Sequence, residues 1–135
     1  MKIEEHEKAY KEHLDNLNSA IENGIEECQR NIGFNISQGS VELFAIYLHK
    51  LNLLAGSGDQ FDHRVFKNSN LIKKKIPPEF PLRAEILKLM KLIEEERNAL
   101  CYGARKSKKR IGDAVNYFQE LRKIINGELK NGKKK

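Results

Sequence analysis

Apolar residues recur along the first part of the chain at helical intervals. Ile3, Tyr10, Leu14, Leu17, Ile21, Ile25 and Cys28 are spaced by three, four or seven positions. Such spacing puts them on one face of a helix, predicted over about residues 2–30. Gly33 is read as the break. A second helix is predicted from near Ser37 through Val41, Leu43, Phe44, Ile46, Tyr47, Leu48, Leu51, Leu53 and Leu54. It is apolar on almost every side, which marks it as the most buried element. The glycines of Gly56–Asp59 are expected to end it.

A short helix is expected over Asp62–Phe66, then turns at Asn68, Ser69 and Asn70. Pro77, Pro78 and Pro81 exclude a regular helix through their own region. The next long helix is predicted to start near Pro81, a residue suited to a first turn. Leu82, Ile86, Leu89, Met90, Ile93 and Leu100 mark its inner face, and Gly103 its stop. A last helix is predicted over about 107–125, on the stripe Ile111, Ala114, Val115, Phe118, Leu121 and Ile125, closed by Gly127. No alternating strand pattern occurs. The expected fold is all-α: an antiparallel up-down bundle of four long helices plus a short one, with short connections. Residues 1–127 form one domain in this reading, and 128–135 a basic flexible tail.

The chain of 135 residues is long enough for one core without staples. It holds no apolar run of the ~18–20 residues that span a bilayer. The N-terminal stretch MKIEEHEKAY is too polar for a signal peptide, so the expected location is the cytoplasm. Cys28 and Cys101 lie within apolar patterns and are read as small core residues, not metal ligands. Neither a metal nor a cofactor is expected.

Charge sharpens the picture near the end of the third long helix. The net charge of +6 comes from 25 basic and 19 acidic residues, but four of the lysines lie in the last six positions. A second basic cluster, Arg105, Lys106, Lys108, Lys109 and Arg110, follows the segment EEERNALCYG directly. Within that segment Glu94 and Arg97 share a helix face and are expected to form a surface ion pair of ~0.5 kcal/mol. Arg97, Asn98 and Tyr102 also supply a phosphate fork, an amide and a stacking phenol. With the basic cluster to steer a polyanion, they point to RNA or a nucleotide. His6 and His13 fall on one face of the first helix with no evident third ligand, and His49 lies in the apolar second helix. No glycine-rich phosphate loop or serine nucleophile elbow is present.

Four stretches together resemble the HEPN superfamily of small helical bundles, over about residues 8–126. They are SAIENGIEECQRN, VELFAIYLHKLNLLAGSG, the Asp62-His63-Arg64 triplet and ERNALCYG. Active members carry an Arg, often Arg-Asn, followed a few residues later by His. Arg97 and Asn98 match the first half. Tyr102 stands where the His is expected, and Tyr-Gly at that place resembles an uncharacterised prokaryotic subfamily with a His after the second helix, matched by His63.

The resemblance implies a metal-independent ribonuclease site shared across a homodimer, sometimes paired with a nucleotidyltransferase in a toxin–antitoxin module. Carried over residue by residue, Arg97 and His63 are the catalytic candidates. Arg97, Asn98, Tyr102, Arg64, Arg105, Lys106, Lys108 and Lys109 are the nucleic-acid- or nucleotide-binding candidates. Tyrosine, with a pKa near ~10, is a poor base at neutral pH, whereas histidine titrates there. The leading expectation is therefore a binding protein that holds RNA or a nucleotide. The alternatives are a ribonuclease using Arg97 and His63, and a helical interaction scaffold without nucleic acid.

Overall fold

A computed structural model describes residues 2–54 and 61–133 of the chain, with side chains through residue 131. Four long helices carry the fold: α1 (Ile3–Asn23), α2 (Gln29–Lys50), α4 (Arg83–Tyr102) and α5 (Lys108–Lys133). Between α2 and α4 lie a 3-10 turn, His63–Lys67, and the short α3, Ser69–Lys75. The described residues contain no strand, and the expected all-α bundle is what forms. None of their helices is long and apolar enough to cross a membrane.

The central helix is α2, which packs against α1, α4 and α5. Its Ile32, Ile36, Phe44, Tyr47 and Leu48 have no exposed surface. Ile86 and Leu100 of α4 and Ile111, Phe118 and Leu121 of α5 are equally covered. Each such side chain contributes roughly 1.5–3 kcal/mol by leaving water. Pairings along the seams run antiparallel. His6 of α1 meets Glu42 of α2 while His13 meets Asn35, and Gln29 reaches Leu100 while Ser37 meets Arg97.

The boundaries differ from expectation in ways that matter for the site. The first helix ends at Asn23, because Gly24 adopts φ +126°, open to a residue without Cβ. Ile25 and Cys28 still pack on the core from the following turn, so the apolar period runs on where the helix does not. Gly33 lies inside α2 and breaks nothing. A Cβ there would sit 2.7 Å from Leu100 Cβ and 3.2 Å from Cys101 Sγ, so α4 packs tightly against α2 at Gly33.

At its other end α2 stops at Lys50, and Asn52 takes a left-handed φ of 60°. Leu51, Leu53 and Leu54 therefore lie beyond the helix, and Gly56–Asp59 lie outside the described residues. The short helix expected at Asp62–Phe66 is the 3-10 turn. Asp62 caps it by accepting from Arg64 N at 2.9 Å, and Val65 and Phe66 anchor it in the core. Asn68 does not merely turn the chain. Its side chain accepts from the backbone N–H of Asn70 and Leu71 and starts α3, a helix the turn-forming composition concealed.

Helix α4 starts at Arg83 rather than Pro81. Leu82 precedes it in a left-handed conformation and is exposed, so it does not line the inner face. The last helix continues past Gly127 to Lys133. A helical glycine costs only ~1 kcal/mol relative to alanine, and Leu129 still packs against the core. Residues 128–133, expected as flexible tail, are thus an extension of α5.

Candidate functional site

Glu94, Arg97 and Cys101 follow one another at helical spacing on α4, and Arg97 and Cys101 meet α2 at Ser37 and Arg30. Arg97 is 7 % exposed. Its Nη1 donates to Ser37 Oγ at 3.1 Å, and its guanidinium carbon lies 5.4 Å from the centre of the Phe34 ring. Buried Nε has no hydrogen-bond partner. Neither ion pair nor carboxylate hydrogen bond balances this cation among the described residues.

The expected Glu94–Arg97 pair is absent because Glu94 is engaged elsewhere. Its carboxylate oxygens lie 2.8 Å and 3.0 Å from His63 Nδ1. A carboxylate only accepts, so the neutral ring carries its proton on Nδ1 and presents Nε2 as a lone pair. Glu94 is 5 % exposed, so the 3-10 turn is docked onto α4 through a largely covered contact. His63 is thereby held at Glu94, three residues before Arg97 on α4.

The remaining candidates divide. Asn98 follows Arg97 by one residue, about 100° around the helix, and is exposed. Tyr102 is 74 % exposed at the C-terminal end of α4. Neither shares the covered face of Arg97, so Arg97, Asn98 and Tyr102 do not converge on one point.

Much of the basic cluster has structural partners. Arg105 Nη1 donates to Glu26 O at 2.8 Å, and Arg110 pairs with Glu96 at 3.2 Å. Lys109 pairs with Asp113 at 3.0 Å, and Arg64 with Asp62 at 2.6 Å. The Arg64 bond and the backbone N–H of the same residue hold the Asp62 carboxyl below its usual range. Lys106 bonds through its backbone N–H to Gln29 Oε1 at 2.7 Å. Its ammonium and that of Lys108 form no ion pair among the described residues. The carbonyls at the end of α4 are met by α2: Gln29 Nε2 donates to Leu100 and Ala104, and Arg30 to Cys101 and Gly103. These bonds satisfy carbonyls that a helix end leaves open.

No protein-family model, no curated protein and no solved structure matches the chain significantly.

Two residues that the sequence reading did not place at the site complete the geometry, Phe34 and Ser37. Phe34 is 43 % exposed and has Arg97 on its face, while His13 meets it edge-on at 5.7 Å between centres. His6 and His13 both turn into the α1–α2 seam, His6 to Glu42 at 2.5 Å and His13 to Asn35 at 3.0 Å. The His49 ring lies 5.3 Å from that of His6, tilted by 46°. Among the described residues no three His, Cys, Asp or Glu side chains converge as metal ligands. Burial pushes the Cys101 thiol above its usual range, outweighing the cations of Arg97 and Arg30.

Proposed function

We propose that the protein is a HEPN-like RNA- or nucleotide-binding bundle that holds a phosphate at Arg97. The observation that carries this reading is the covered guanidinium, whose Nε has no hydrogen-bond partner and which forms no ion pair among the described residues. Burying a charge without a partner is expensive, and an arriving anion relieves that cost. A guanidinium also matches phosphate oxygens with forked donors. Phe34 offers an aromatic face beside it. Tyr102, Lys106 and Lys108 would supply further contacts to a polyanion away from the covered face of Arg97. The same resemblance makes a homodimer the expected assembly and a nucleotidyltransferase the expected protein partner.

The test is fluorescence anisotropy with single-stranded RNA. Wild type binds, and Arg97→Met weakens binding by about tenfold or more, the worth of a charge-assisted bond. Equal affinity of the two proteins removes Arg97 from the reading.

The His63–Glu94 contact favours a second reading, a metal-independent ribonuclease. In it, His63 Nε2 takes the proton of a ribose 2′-hydroxyl and the 2′-oxygen attacks the adjacent phosphorus. The bond to the 5′-oxygen breaks, that oxygen takes a proton from water, and a cyclic phosphate remains. Arg97 would hold the charge on the phosphate oxygens. RNA incubated in EDTA distinguishes the readings: cleavage by wild type but not by His63→Ala supports the nuclease, and intact RNA supports binding alone.

A further inference from the structure

Phe34 has a second neighbourhood. On the α1 side of its ring lies a groove of about 350 Å³ between α1 and α2. Asn16, Ser19 and Asn23 of α1 and Asn31 and Asn35 of α2 line it with Phe34, over Ala20 and Cys28. In a chain whose residues are 33 % charged, this lining carries no charge at all. Asn35 is committed to the protein, bonded to His13 and to Asn31 O. The amides of Asn16, Asn23 and Asn31 make no hydrogen bond within the described chain. The groove thus combines uncommitted donor–acceptor groups, an aromatic wall and a size within the range of small-molecule sites.

From this combination we infer that the α1–α2 groove binds a nucleobase. An Asn amide donates and accepts side by side, which matches the edge of a base. An aromatic ring stacks on the flat face of a base, worth ~1–3 kcal/mol. An uncharged wall suits the neutral ring and not the phosphate. The phosphate has its own place: Arg97 lies over the Phe34 ring that borders the groove. Base and phosphate of one nucleotide would thus share Phe34, with Arg97 and the asparagines binding different parts. The inference rests on the phosphate reading for the run of the strand, and it restricts the nucleic acid to an unpaired nucleotide, since a base inside a duplex cannot enter a groove.

The experiment uses ribonucleosides, which carry no phosphate and so read the groove independently of Arg97. Side-chain amide signals of the ¹⁵N-labelled protein are followed by NMR as each nucleoside is added. Saturable shifts at Asn16, Asn23 and Asn31 are expected. In Asn31→Ala, a substitution at an exposed position, nucleoside affinity should fall about five- to tenfold. Absence of saturable shifts overturns the inference, as does an equal response to ribose alone, which would make the groove a sugar site. A groove that binds nucleosides in a protein that binds no RNA would uphold the groove and remove the phosphate reading. RNA binding that is indifferent to removal of the bases would do the reverse.

Discussion

His63 Nδ1 lies 2.8 Å from Glu94 Oε1, and this contact ties the segment after α2 to the helix that carries Arg97. The carboxylate that the sequence offered to Arg97 is taken by the histidine. A double-mutant cycle should show it. Glu94→Ala and His63→Ala are expected to interact by about 0.5–3 kcal/mol in urea unfolding, as contacting residues in a hydrogen-bonded pair do. Additive effects would mean that the pair is not held in solution.

Arg97 should contribute little to stability. Replacing it by Met removes one bond to Ser37 and the contact with Phe34, but also removes a covered charge. The net change in unfolding free energy is expected to stay within ~1 kcal/mol. Ile93→Ala, in the core of the same helix, should cost about 2–5 kcal/mol. Comparable losses for both variants would show Arg97 to be a structural residue.

Two glycines should respond in opposite directions. At Gly33 a methyl meets Leu100 Cβ at 2.7 Å, so Gly33→Ala should lower stability by ~1–3 kcal/mol despite its better helix propensity. At Gly127 nothing lies within 4 Å, and Gly127→Ala should raise stability by ~0.5–1 kcal/mol. Thermal unfolding of the two variants measures both.

Tyr47 predicts a loss of stability at high pH. Its hydroxyl donates to Pro81 O at 3.0 Å, and burial pushes its pKa from 10.0 up to about 12, with a smaller push from Glu128. The folded state therefore favours the protonated phenol. Its contribution is complete below pH 10.0 and is lost as the pH rises toward about 12. Urea unfolding across that window should weaken in wild type and much less in Tyr47→Phe, which lacks the titrating group. Equal slopes would place the alkaline loss elsewhere.

How far the sequence reached follows from what each signal measures. Helical spacing reports which residues face the core, and it placed the inner faces of α2, α4 and α5 apart from their ends, where Leu53 and Leu82 are exposed. It does not report where the backbone turns. Ile25 and Cys28 kept the first stripe going through a turn, and Gly33, needed for the approach of α4, resembled a break. Displacing the start of α2 to Ser37 left Phe34 outside any helix, so the ring on which Arg97 rests was missed. Asn98 and Tyr102 read as partners of Arg97 because they are near it in sequence, although helical geometry sends them outward. Lysines and arginines after Gly103 read as a free basic patch, and only the folded chain supplies the partners of Arg105, Lys109 and Arg110.

The most direct measurement is the salt dependence of affinity for single-stranded RNA, with wild type and Arg97→Met side by side. Each phosphate held on a single strand contributes about −0.7 to the slope of log affinity against log salt. Arg97→Met is expected to bind more weakly and with a slope shallower by about 0.7, one phosphate contact fewer. Equal affinities and parallel slopes would contradict a phosphate held at Arg97, leaving it as packing over the Phe34 ring.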